Sequence, residues 1–368
     1  MSRMIVPPLA MALALLLSSP HVSDGASLTV QADGSGTYAT IQAGIDAASD
    51  GDEVVVGDGL YTGEGNLNIT LRGKKILVRS EHGPAHTIIE GNTDAMGFAC
   101  NLTYEGPDSV IDGFTVRNCG LVAISCYRSS PTIRNCVITS NHAANGGGVF
   151  FNRSTSLMVN CVIAGNSADY GGGILCSRSS PVIANCLIAG NGATYGGAIA
   201  CWLSSCPVIA NCTITGNSAE EGGGLWCWDS CAPKLFNSIM WDNSAPAGPE
   251  MMITVESLIS ISYSTVTNGQ SSIHLDSGGA IEWLAGAADF NPLFVDPDGA
   301  DNDASTLGDN DYRLAAASPC IDSADSGAVP ASAIADLLGR SRLIDDPWRL
   351  DTGQPSGGSP VVDMGAYE

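Results

Sequence analysis

Three arginines recur at 25-residue steps, Arg128, Arg153 and Arg178, each directly after a member of a second column that reads Tyr127, Asn152, Ser177, Trp202, Trp228. Trp226 lies two residues before the last of these, and the pairs Asp169-Tyr170, Thr194-Tyr195 and Glu220-Glu221 recur a few residues upstream of the same columns. Aromatic faces stack on sugar rings, while guanidinium and carboxylate groups make the charged contacts that an acidic polysaccharide needs. The candidates for substrate binding are therefore Tyr127, Arg128, Asn152, Arg153, Tyr170, Arg178, Tyr195, Trp202, Trp226 and Trp228. The plainer alternative pairs the arginines with loop carboxylates such as Asp169 and leaves the tryptophans to cover a flank.

Catalysis on the same face would ask for more. A lyase must neutralise a uronate carboxylate, with calcium or Arg, and set a base against the proton next to it. A hydrolase needs two carboxyl groups, ~5–5.5 Å apart for retention or ~6.5–9.5 Å for inversion. Asp169, Glu220 and Glu221 could serve, with Arg153 or Arg178 as electrophile, but no diagnostic motif marks them and the catalytic residues stay unassigned. The five histidines, at 21, 82, 86, 142 and 274, stand outside any nucleophile motif. Binding of polysaccharide or a cell-surface glycan is the preferred reading. A polysaccharide lyase or glycoside hydrolase is the second, and a structural or adhesive surface protein the third.

Between residues 268 and 311 the chain is loop-like and acidic, and Asp296, Asp298, Asp301, Asp303, Asp309 and Asp311 offer hard oxygen ligands of the kind calcium takes. Their spacing fits no EF-hand loop, whose Gly and final Glu are missing, so a solvated acidic loop is preferred and no cofactor is required.

Columns of this kind need a scaffold that repeats. Asn135-Cys136, Asn160-Cys161, Asn185-Cys186 and Asn211-Cys212 recur at steps of 25, 25 and 26 residues, and Asn141, Asn166, Asn191, Asn217 and Asn243 keep the same register. So do Cys100, Cys126, Phe151, Cys176, Cys201 and Cys227, and Gly runs such as 171–173. Each unit holds three short apolar segments bounded by Gly, Pro, Asn or Ser, for example 174–176, 181–183 and 186–188, which read as three strands and three turns. Stacking such coils sets equivalent residues ~4.8 Å apart. The expected fold class is all-β, a single right-handed parallel β-helix: a solenoid of three parallel sheets with about 25 residues per coil. Ile41, Ile45 and Ala48 have helical spacing and predict a short helix capping the open N-terminal end. Both Asn columns are expected at turns, where Asn tolerates left-handed backbone and bonds the Asn above and below.

Of thirteen cysteines, the columns 136/161/186/212 and 176/201/227 fall among Val, Ile and Leu and read as buried thiols. Stacked Cβ atoms ~4.8 Å apart are too far for a bridge. Cys206 and Cys231 sit one residue out of register on consecutive turns and are the expected disulfide.

The chain carries 38 acidic and 15 basic residues, a formal charge of −23, which disfavours nucleic acid as a partner. Arg3, an apolar stretch from Ile5 to Leu17 and small residues after it have the layout of a secretory signal peptide, too short to span a bilayer. A secreted, extracellular monomer with no transmembrane segment in the mature chain is expected. The expected divisions are 1–25 as signal peptide, 26–97 as cap and irregular first coils, 98–267 as regular repeats and 268–368 as a loop-rich C-terminal region.

The stretch Tyr38-Ala-Thr-Ile-Gln-Ala, then Gly51-Asp-Glu-Val-Val-Val and Leu60-Tyr, resembles the cap and first coil of pectate-lyase-like β-helix proteins. The Asn-Cys and Gly-Gly-Gly repeats are similar to those of secreted β-helix repeat proteins and, less closely, of polymorphic outer membrane proteins. Asn291-Pro-Leu-Phe-Val-Asp-Pro-Asp, Tyr312-Arg-Leu, Ser318-Pro-Cys-Ile-Asp322 and Asp363-Met-Gly-Ala-Tyr-Glu368 resemble the choice-of-anchor Q region. The resemblance implies fold and secretion; it fixes no activity.

Overall fold

The structure, a computed structural model, describes residues 25–301, 309–330, 335–342, 351–355 and 361–367. The expected signal peptide, Asp303 and Glu368 lie outside the described residues, apart from Gly25. Short apolar segments separated by turns cannot bury their inward faces alone, so each coil stacks on the last and pairs in parallel with it. Among the described residues three main sheets result, which we call A, B and C, with 11, 9 and 8 strands. One coil contributes Ile174–Ser177 to sheet C, Val182–Ala184 to sheet A and Leu187–Ala189 to sheet B. A fourth, four-stranded sheet forms where the longer connections stack, as in Ser167–Tyr170. The expected three-sheet parallel β-solenoid is therefore the fold observed.

Alternation along each strand decides what faces inward. Cys176, Cys201 and Cys227 are Cα partners on successive strands, all fully buried, among Ile174, Ile199 and Leu225. Gly172 begins the way into sheet C because a Cβ there would meet the Gly197 carbonyl oxygen of the next coil at 2.6 Å.

The two Asn columns play different parts. Asn135, Asn160, Asn185, Asn211 and Asn237 hold φ between 51° and 57°, the left-handed turn expected of them. The second column is not left-handed. It is a buried amide ladder in which Asn141 Nδ2 donates to Asn166 Oδ1 (2.9 Å), Asn166 to Asn191 (3.0 Å), Asn191 to Asn217 (2.9 Å) and Asn217 to Asn243 (2.8 Å). Each acceptor oxygen also takes the backbone N–H of the Asn one coil before it, so a buried polar column is satisfied throughout.

A helix at Ile41–Ala47, capped by the Thr40 hydroxyl, covers the N-terminal end with Ile41 and Ile45 buried. At the other end the register persists past Met240, although the spacing of the sequence repeat becomes irregular there. Met251–Ile253 pairs with Leu225–Cys227, and Ala280–Trp283 pairs with Leu258–Ile261, so the solenoid runs on beyond residue 267.

The rest of the chain turns back along the outside. Phe294–Asp296 pairs antiparallel with Asp311–Leu314, the Asp363 carboxylate accepts the Asp322 N–H (2.9 Å), and Cys320, Val362 and Met364 pack on Ile239. Asp325 and Asn237 exchange hydrogen bonds, the Ala366 N–H donates to the Thr213 hydroxyl (3.1 Å), and Arg342, fully buried, donates from Nε to Asn185 Oδ1 (2.7 Å). One outward column of sheet A changes character where this strap covers it. Arg79, Asp112 and Arg134 carry ion pairs in the early coils, and Val159, Ala184, Ala210 and Phe236 replace them under the strap.

The expected Cys206–Cys231 bridge is corrected, since both are free cysteines. Cys231 belongs to a ladder that links successive turns: Ser154 N–H donates to Ser179 Oγ (3.1 Å), Ser179 to Ser205 (3.2 Å), Ser205 to Cys231 Sγ (3.3 Å) and Cys231 to Ser257 (3.0 Å). Its thiol is therefore turned in, while Cys206, one position beyond Ser205, is half-buried outside that ladder.

Candidate functional site

Asn101, Tyr127, Asn152, Ser177, Trp202 and Trp228 are register partners on the outer face of sheet C. A parallel outward line carries Phe150, Leu175, Ala200, Trp226 and Met252. Tyr170, Tyr195 and Glu221 form a third line on the short sheet. The connections expected as loops thus stand as a wall beside sheet C, and the angle between them is a cleft of about 380 Å³. Tyr170 lies flat against Tyr195 (5.1 Å between centroids, 15° between planes) and against Trp202 (5.6 Å, 13°). Trp226 and Trp228 are parallel at 6.4 Å, and Trp228, 37% exposed, forms the open edge. Trp226 Nε1 donates to Glu221 Oε2 at 3.3 Å.

Tyr170, Tyr195, Trp202, Trp226 and Trp228 thus share one cleft, whereas Tyr127 lies outside it. The arginines stand apart from it. Arg128, Arg153 and Arg178 occupy left-handed turns directly after their strands, at φ 54°, 52° and 49°, and are exposed. Arg128 lies over the Tyr127 ring at 5.8 Å, and hydrogen bonding to Tyr104 holds its guanidinium pKa up. Among the described residues Arg153 and Arg178 make no ion pair, which corrects the plainer alternative that paired them with Asp169. A second hollow of about 470 Å³, largely apolar, takes in Tyr127, Asn152 and Phe150 beside the first strand of the short sheet.

Of the candidate catalytic carboxylates only Glu221 lines the cleft; Asp169 and Glu220 are exposed, outside its lining. Among the described residues no group of three or more His, Cys, Asp or Glu is placed to hold a metal ion. Slight burial and then Asp298, Asp309 and Asp311 raise the Asp296 pKa, so these carboxylates do gather, but Arg313 claims Asp311 and lowers its pKa, and Asp309 accepts the Ala300 N–H (3.0 Å). Asp301 ends the segment described there.

Met252, Thr254, Val255, Asp276 and Ser277 also line the cleft, and none was singled out by sequence. Met252 could have been found by carrying the column 226 one coil further; Asp276 follows an irregular last coil and carries no periodic mark.

Residues 76–239 match the family described as "Right handed beta helix region". No curated protein matches the chain. Among solved structures, pectate lyase Pel9A is similar at 16% identity and TM-score 0.54, over 93% of this chain and 96% of that one. Carrot pectin methylesterase (15%, TM-score 0.37, 79% and 96%) and the pectin methylesterase from Aspergillus niger (16%, 0.41, 81% and 91%) are more distant in shape. No helix among the described residues is long and apolar enough to cross a membrane. Stacked parallel coils, the matching repeat region and the likeness along nearly the whole of Pel9A together identify the fold of this chain as a right-handed parallel β-helix of the pectate-lyase-like kind.

Proposed function

We propose that this is a secreted protein that binds polysaccharide or a cell-surface glycan along the outer face of sheet C. The observation that carries this reading is the convergence of Tyr170, Tyr195, Trp202, Trp226 and Trp228 on one cleft, where their rings stack on one another. Rings on outward positions contribute little to a solenoid core, whereas sugar faces stack on them. Arg153 and Arg178, exposed and without an ion pair among the described residues, would extend the face toward acidic sugars. The lyase name of the similar structure Pel9A adds a polysaccharide association on this fold. Binding is preferred to hydrolysis because two of the three carboxylates named for catalysis, Asp169 and Glu220, lie outside the cleft; the acids that line it are Glu221 and Asp276.

Affinity electrophoresis against a panel of neutral and acidic polysaccharides tests this, with release of unsaturated or reducing ends scored alongside. At least one polymer should retard the wild type, and Trp228→Ala and Arg153→Ala should weaken retardation by about tenfold with melting unchanged. No retardation by any polymer would end the binding reading, and release of ends would replace it with the enzymatic one.

A further inference from the structure

The cleft and the arginine turns have opposite electrostatic character. Among the described residues no Lys, Arg or His lines the cleft, while two carboxylates do: Glu221 on the short sheet and Asp276 on the turn that follows Ile273–Leu275. Its rings are walls set at angles to one another, not a flat platform. Trp202 meets Trp228 at 58°, and Tyr195 meets Trp226 at 46°. A hollow with aromatic walls and carboxylates presents ring faces, which are negative, together with full negative charge, and both attract a cation. An anionic sugar placed there would meet two like charges in a partly desolvated site. The Trp226 indole N–H holds Glu221 in position against the rings without neutralising it.

We propose that this cleft binds an organic cation, an alkylammonium or protonated amine, whose charge sits between the tryptophan faces and the carboxylates of Glu221 and Asp276. The volume of about 380 Å³ suits a group of trimethylammonium or amino-sugar size. The inference stands on the cleft alone and does not require the arginine face or a long polymer to be bound.

The test titrates the full chain with choline while following tryptophan fluorescence and heat, and compares 3,3-dimethylbutan-1-ol, which has the same shape without the charge. Saturable quenching by choline is expected, with the neutral analogue weaker by about tenfold. Glu221→Gln and Asp276→Asn should each weaken choline several-fold. Trp228→Ala, at the exposed edge, should weaken it by about tenfold with melting unchanged. Glucosamine set against N-acetylglucosamine separates the two sources of the cation: preference for glucosamine over choline assigns the site to an amino sugar, and the reverse to a quaternary ammonium. Failure of both choline and glucosamine to saturate overturns the proposal, as does equal affinity for the neutral analogue or binding unchanged in Glu221→Gln.

Discussion

Glu250 accepts two hydrogen bonds from Asn243, one from its backbone N–H at 3.1 Å and one from Nδ2 at 2.6 Å. Asn243 is the last rung of the amide ladder, so a carboxyl group closes a column that runs through five coils. Burial pushes the Glu250 pKa up from its ordinary 4.5 to about 7, against the opposing hydrogen bonds from Asn243 and Thr267.

The folded chain thus holds this proton more tightly than the unfolded chain does. The contribution favours folding in full below about pH 4.5 and is lost as pH rises through about 7, a difference on the order of 3 kcal/mol. Glu250→Gln keeps an acceptor for Asn243 and cannot titrate. Denaturation measured at several pH values should show wild-type stability falling relative to the variant as pH rises across this range; parallel profiles would remove Glu250 as the cause.

Position within the repeat should outweigh residue type. Asn191→Ala strips a buried rung, leaving the buried Asn166 backbone N–H without its acceptor and removing the bonds Asn191 shares with Asn166 Nδ2 and with the Ile163 and Ala189 carbonyls, and is expected to cost about 3 kcal/mol. Asn160→Ala, at a half-exposed left-handed turn, should cost about 1 kcal/mol. Equal losses in urea melts would mean that the ladder is not a structural column.

All thirteen cysteines should titrate with a thiol reagent in denaturant under non-reducing conditions, and in the native protein Cys206 should react far ahead of the rest. Burial raises the pKa of thiols such as Cys119 and Cys320, to about 11 and about 12, which keeps them unreactive as well as inaccessible. Fewer than thirteen reactive groups after unfolding would reveal a bridge.

Arg342→Ala should free the strap while leaving the coils intact. Loss of the guanidinium leaves the Gly365 carbonyl short of a donor and Asn185 short of a partner, about 1–3 kcal/mol for each buried group. Limited proteolysis should then cut within residues 309–367 before the solenoid. Cleavage unchanged from wild type would show the strap to be held by its apolar contacts alone.

The solenoid was legible because a stacked coil repeats its own constraints. Asn135 and Asn160 need the same turn, and Cys176 and Cys201 fill the same inward slot, so position writes itself into the sequence as a period. The aromatic cleft was half legible. Trp202 and Trp228 share a period, but the strands at Ser167–Tyr170 and Ser218–Glu221 contain little β-branched residue and exist only because neighbouring coils stack there. The strap was hidden: Val159 and then Ala184, one and two coils after Arg134 in the same column, look like ordinary drift until the chain that covers them is seen. The Cys206–Cys231 expectation failed by one residue of register, since Ser205 is the partner of Cys231 on the ladder.

The strap also works as a ruler. Its anchors at Asn185, Thr213 and Asn237 lie on successive coils, so their separations count turns of the solenoid. Duplicating or deleting one coil between them would move the outer anchors by ~4.8 Å, beyond the reach of any of these hydrogen bonds. A coil added among the early, ion-paired turns before Leu157 would shift nothing the strap touches. Variants of this molecule that differ in coil number should therefore have grown or shrunk near their N-terminal end, with the stretch from Asn185 to Asn237 fixed in length.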